Sequence, residues 1–259
     1  CVGDNHLIET EGTDRIFEFN MPYNQDKLIK EVAKINKNII VVLHTGVPVF
    51  INKWYNDAKA LIQAGFPGQE GGNALARIIF GEVNPSGKLT YSFLDNYNQT
   101  PALKGYKNPD FIAPYDEGIY VGYRYLEKNN LHPLFPFGFG LSYTTFGYSN
   151  LKVEKVGKYD FTISCDIENN GQLKGDEIVQ LYIHSESKEI DRPEKELKGF
   201  CRVSLEPGQK KNVVMKLNFD SFAYFDEKAN KWEVKQGNYE IRIGSSSNNI
   251  LLTSIINIE

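Results

Sequence analysis

The sequence predicts two folds in succession, α/β and then all-β. Three observations carry this. Over residues 1–95 apolar residues switch between helical spacing and continuous apolar runs; over 96–147 Pro, Gly and aromatic residues crowd together; over 148–259 apolar and polar residues alternate with a period of two. At 259 residues the chain has room for two ordinary domains, each able to bury its own core.

Cys1-Val2-Gly3 reads as a strand already under way, which predicts that further sequence precedes it. Asn24 is placed to cap a helix running to about Asn36, with Leu28, Ile29, Val32 and Ile35 forming its inward stripe. The run Ile39 to Leu43 is uninterrupted and mostly β-branched, as in a parallel strand covered on both faces. Thr45-Gly46-Val47-Pro48 ends it. Ala58 to Ala64 reads as another buried strand, Gly65 to Gly72 as a turn, and Asn73 to Phe80 as a helix with Ala74, Leu75, Ile78 and Ile79 inward. This alternation predicts part of a layered α/β domain over 1–95, with its functional loops at the carboxyl ends of the strands.

Residues 96–147 read as an ordered connector packed across the domains, because its Tyr and Phe residues are costly to leave in water. Within it Asp116-Glu117 precede what reads as an aromatic strand. Beyond it Tyr159, Phe161, Ile163, Cys165 and Ile167 alternate with polar residues before Asn169-Asn170-Gly171 turns the chain. Glu177 to His184, Arg202 to Leu205, Asn212 to Leu217 and Tyr239 to Ile243 add short strands. Turn residues such as Pro207-Gly208 and Gln236-Gly237-Asn238 lie between them, so 148–259 reads as a β-sandwich.

Several function classes drop out. A net charge of −4 with both signs mixed offers no basic stripe for nucleic acid. The longest apolar run, Ile39 to Leu43, is far short of the ~20 residues a membrane-spanning helix needs. Cys1, Cys165 and Cys201 lack the spacing of a disulfide scaffold or zinc site. By strand parity Cys165 and Cys201 read as buried free thiols. His6, His44, His132 and His184 share no metal-binding spacing. The glycines of Pro67 to Gly72 lack the Gly-Lys-Ser/Thr ending of a phosphate loop, and Lys88 is followed by Leu89, so nucleotide binding is rejected. Glu70 in that turn reads as support for a helix N-terminus. Compartment stays undecided: no signal segment is visible, and Asn98-Gln99-Thr100, a glycosylation-like triplet, is followed by Pro101.

Chemistry concentrates in Glu9-Thr10-Glu11-Gly12-Thr13-Asp14-Arg15. Glycosidic cleavage needs a carboxylic acid to protonate the leaving oxygen and a second carboxylate at the anomeric carbon. Glu11 suits the first role, since it stands before Gly12 in a loop that follows the first strand. A solvated loop with two glutamates is the plain alternative. Asp14 and Arg15 read as a local ion pair.

Six motifs in order widen the view: Glu11-Gly12-Thr13-Asp14-Arg15, Phe66-Pro67-Gly68-Gln69-Glu70-Gly71-Gly72, Asn84-Pro85-Ser86-Gly87-Lys88-Leu89, Glu117 to Arg124, Phe135 to Tyr143, and Arg192 to Phe200. Together they make the chain resemble the C-terminal portion of family 3 glycoside hydrolases, the β-glucosidase group. The resemblance implies a (β/α)8 barrel carrying an Asp nucleophile, an α/β sandwich domain carrying the acid/base, and a fibronectin-III-like sandwich. Only the later part has counterparts here. On this resemblance Glu11 is the acid/base and Glu9 the fallback, while the nucleophile belongs to the missing barrel. The implied activity is that of a retaining exo-β-glycosidase acting on a β-glucoside or short β-linked oligosaccharide, with β-xylosidase and N-acetyl-glucosaminidase as alternatives. Two carboxylates suffice, so no metal or organic cofactor is expected. The chain alone is expected to be inactive, and its sugar contacts and homo-oligomerisation stay open. The rival reading is a non-catalytic carbohydrate-binding or interaction module. An exposed, apolar-rimmed surface around Glu11 would favour the enzyme. The many aromatic residues read mainly as domain glue, and Trp54 and Trp232 as core or interface.

Overall fold

A computed structural model describes residues 1–5, 7–9, 19–101, 110 and 112–259, and the chain divides into two compact units. The first comprises 1–82, 91–122 and 130–135; the second comprises 83–90, 123–129 and 136–259.

The first unit is built on three parallel strands, β1 (Val2–Gly3), β2 (Ile40–His44) and β3 (Ala60–Gln63), in the order β1-β2-β3. Parallel strands need a crossover, and helix α1 (Gln25–Ile35) supplies one between β1 and β2. Central strand β2 buries Val41, Val42 and Leu43 in succession, as its continuous apolar run predicts. On β1 the Gln25 side chain imitates a neighbouring strand, accepting the Gly3 N–H at 2.8 Å and donating to the Gly3 carbonyl at 2.6 Å. Position 3 admits only glycine, because a Cβ there would lie 2.2 Å from the His44 carbonyl oxygen.

The inward face of α1 differs from the expected stripe. Ile29 and Ala33 are buried, and Asp26 on the same side accepts the indole N–H of the buried Trp54 at 2.7 Å. Leu28, Val32 and Ile35 are exposed, Ile35 at 91%. One residue step is about 100° of helix, so choosing 29 and 33 over 28, 32 and 35 turns the helix by a quarter. Asn24 does stand at the N-cap position, but at φ 57° it makes no side-chain cap bond. A capping residue needs extended backbone to aim its oxygen at the helix N–H groups.

Helix α2 (Gly71–Ile79) follows β3 after a turn in which Gly65 and Gly68 take positive φ. Its Leu75 and Ile78 are half-buried, whereas Ala74 and Ile79, expected inward, are exposed. Later in this unit Phe93 is buried and bridges to Phe135, its N–H reaching the Phe135 carbonyl at 2.8 Å, with Tyr55 and Tyr91 against the same rings.

The second unit is a β-sandwich. Its strands are β4 (Phe146–Lys155), β5 (Phe161–Asn169), β6 (Gly175–Ser185), β7 (Glu196–Leu205), β8 (Lys210–Leu217), a small ribbon of β9 (Tyr224–Asp226) and β10 (Lys231–Glu233), then β11 (Gly237–Ser246) and β12 (Asn249–Ile258). One sheet runs β12-β11-β6-β7 and faces another running β4-β5-β8, with Ile163, Ile167, Leu181, Leu205, Ile241 and Ile243 fully buried in the core. The alternation along β5 is complete, every odd residue from Phe161 to Asn169 being buried.

Two long strands escape the period-two reading for visible reasons. In β4 the register shifts between Ser149 and Lys152, around Asn150 at φ 55°, and the shift breaks the alternation. In β12 apolar residues occupy both faces, with Leu251 and Ile255 exposed while Ile256 and Ile258 are buried. The segment after Asp116-Glu117 is a helix and not a strand: α3 (Tyr123–Lys128) buries Leu126, and Tyr123 stacks on Phe137 at 4.9 Å while its hydroxyl accepts the Leu197 N–H at 2.9 Å. All three cysteines are free. Cys165 is buried, which pushes its thiol up to about 11, with Asp166 and Cys201 adding to the shift; Cys201 is partly covered and Cys1 exposed.

Candidate functional site

Loops at the carboxyl ends of parallel strands are where open α/β sheets collect their chemistry. In the first unit this end is knit together. Asp4 donates its N–H to the His44 carbonyl at 3.1 Å, and Gln63 at the end of β3 donates to the carbonyl of fully buried Thr45 at 2.8 Å.

Glu11, with Asp14 and Arg15, lies outside the described residues. Glu9 lies within them. Asn5 organises its approach: the Asn5 carbonyl accepts the N–H groups of both Ile8 and Glu9 at 2.9 Å, and its side chain accepts that of Leu7 at 2.9 Å. A turn built by an Asn side chain and carbonyl is a local device that sequence encodes directly. Beyond it the Glu9 carboxylate reaches the loop after β2, where Oε2 accepts the Gly46 N–H at 2.8 Å and Oε1 accepts the Val47 N–H at 3.0 Å. Charge-assisted bonds to two successive amides fix a carboxylate more firmly than one neutral bond would.

Gly46 leaves room for this contact. A Cβ there would stand 2.7 Å from Glu9 Oε2 and 2.7 Å from the Phe66 ring. Burial pushes the Tyr91 phenol up, and the Glu9 charge adds to the shift, so Tyr91 is within electrostatic reach of this carboxylate. Leu7, Val47 and Phe66 around it are exposed apolar residues, at 71%, 41% and 61%.

Other residues singled out in the sequence have structural roles. Glu70 at the head of α2 accepts the Asn73 side chain at 2.6 Å. Lys88 is a nearly buried partner of Glu177 at 3.0 Å and also donates to the Gly140 carbonyl at 2.9 Å, so it serves the second unit's interior and no phosphate. Asn84 accepts from Ser142 and from the Tyr143 N–H, and donates to the Lys174 carbonyl, which explains why two distant motifs occur together. Arg192 binds Glu196 at 3.0 Å and the Phe222 carbonyl at 2.6 Å. Trp54 is core; Trp232 is exposed on the β9–β10 ribbon, edge-on to Phe225. Among the described residues no group of three His, Cys, Asp or Glu is arranged to hold a metal ion. The amides of Gly46 and Val47 went unforeseen, and the only sequence signal for them is a glycine directly after a buried strand.

Comparison with known proteins places these features in a family. Residues 1–143 match the glycosyl hydrolase family 3 C-terminal domain, and residues 177–247 match a fibronectin type III-like domain. A thermostable beta-glucosidase B of Acetivibrio thermocellus is 42% identical over 96% of this chain and 33% of its own length. An exo-alpha-(1->6)-L-arabinopyranosidase of Bifidobacterium breve is 38% identical over 100% of this chain and 34% of its own. The crystal structure of a beta-glucosidase from Kluyveromyces marxianus in complex with glucose superposes with a TM-score of 0.95 at 41% identity, covering 100% of this chain and 31% of that one. The chain spans about a third of the length of the curated relatives it matches.

Proposed function

Because the chain belongs to glycosyl hydrolase family 3, we propose that it is the C-terminal portion of a retaining exo-β-glycosidase, a β-glucosidase by preference, and that it supplies the acid/base to a site completed by a barrel domain. The observation that carries this is the family match over 1–143, a range that contains the Glu9 to Arg15 motif.

Glu11 is the acid/base in this reading and Glu9 the fallback. Supporting that order, both Glu9 oxygens already accept backbone N–H groups, whereas a general acid must offer its proton to the leaving oxygen. The Asp nucleophile lies on the barrel, and a retaining mechanism sets the two carboxyl groups about 5 Å apart across the scissile bond. Glu11 protonates the leaving group as the nucleophile attacks, then removes a proton from water in the second step. No metal or organic cofactor enters. The exposed Leu7, Val47 and Phe66 fit a face that another domain covers. A β-glucoside is the preferred substrate on the names of the relatives. An arabinopyranosidase at comparable identity supports a sugar choice made largely outside this chain.

The test is Glu11→Gln in the polypeptide that joins this chain to a barrel. Hydrolysis of a glucoside with a poor leaving group should fall by about 100- to 10,000-fold with circular dichroism unchanged. Unchanged turnover would reject Glu11 as the acid/base.

A further inference from the structure

We infer that Glu9 is a positioning residue, whose carboxylate locks the acid/base loop onto the loop after β2 through the successive N–H groups of Gly46 and Val47. The inference rests on the proposed role of Glu11 and adds a residue to it.

The geometry has three parts. The clamp joins residues 37 and 38 positions apart, so it is a tertiary contact and not a feature of a local turn. It is bidentate, one oxygen per amide, which fixes the direction of the carboxylate as well as its distance. It is also fitted: a Cβ on Gly46 would stand 2.7 Å from Glu9 Oε2 and 2.7 Å from the Phe66 ring, so the Glu9 or the Phe66 side chain would have to shift. On the near side, the Asn5 carbonyl and side chain set the backbone that delivers Glu9. Glu11 follows two residues on, within roughly 7 Å of chain. Fixing Glu9 therefore restricts where Glu11 can stand, and acid catalysis is steeply sensitive to such placement. A solvated, structurally idle glutamate would need neither a pair of amide donors nor an opposing glycine.

Two experiments test this. In the present chain, Glu9→Gln should move the amide NMR shifts of Gly46 and Val47 together, because both N–H groups donate to the Glu9 carboxylate. Gly46 and Val47 amide shifts that stay unmoved in Glu9→Gln overturn the clamp whatever the enzyme does. In the barrel-joined polypeptide, Glu9→Gln and Gly46→Ala should each slow a poor-leaving-group glucoside about 100-fold. The double variant should be little worse than either, since both break one contact. The alkaline limb of the pH–rate profile should persist in Glu9→Gln, and added azide should not restore turnover. Azide rescue with loss of that limb would make Glu9 itself the acid/base, overturning this inference while sparing the family reading. Wild-type turnover in both variants would overturn it as well. Failure of the Glu11 role is read separately, from Glu11→Gln.

Discussion

Tyr148 shows how a single group can work against the fold that holds it. Its hydroxyl is buried with no hydrogen-bond partner among the described residues, and burial, with Glu177 and Cys165 adding, pushes the phenol far above the ordinary tyrosine range. A buried orphan hydroxyl carries its desolvation cost uncompensated. Tyr148→Phe keeps the ring in place and should raise stability by about 1 kcal/mol in urea unfolding; a comparable loss would mean that the hydroxyl is bonded. Asn169 is the counterexample on the neighbouring strand. It is equally buried, but it accepts from Thr144 Oγ1 at 2.6 Å and donates to the Leu173 and Leu205 carbonyls, so its polarity serves the turn that follows β5. The sequence reads Asn169 as the start of a turn and does not single out Tyr148, and it cannot tell which of the two finds partners.

Helix α1 makes the same point for a whole segment. Its spacing announces an amphipathic helix, and the helix is there, but the buried face carries Ile29 and Ala33, on the side where Asp26 accepts the indole N–H of buried Trp54. Ile29→Ala should therefore cost ~2–5 kcal/mol. Leu28→Gln or Ile35→Gln should stay within about 0.5 kcal/mol in this chain. Chemical denaturation of the three variants decides between the faces, and equal losses would restore the stripe read from the sequence. The candidate site divides in the same way. The Glu9–Glu11 doublet stands out beside its glycine. The amides of Gly46 and Val47 are invisible until β1 and β2 pair in parallel and bring the two loop ends together.

For the molecule in solution, the pH dependence of stability should carry the mark of Glu127. This residue of α3 pairs with Lys195 at 2.9 Å, with Glu194 and Arg242 also facing it, and burial holds its carboxyl above its ordinary 4.5. The folded chain therefore binds that proton more tightly than the unfolded chain. Its contribution is fully present below the unfolded value and is lost as pH rises through the folded one. Glu127→Gln removes this dependence. The variant should gain on the wild type in urea midpoints measured from pH 4 to pH 7, and parallel curves would show that Glu127 is not the linked group. Composition, periodicity and motif order sufficed to identify an α/β segment, a sandwich and a family, because these depend on spacings that repeat along the chain. Which face of α1 is buried, whether 123–128 is strand or helix, and what holds Glu9 depend on contacts between residues far apart in sequence. Such contacts come into being only when the chain folds and the competing surfaces are matched against one another.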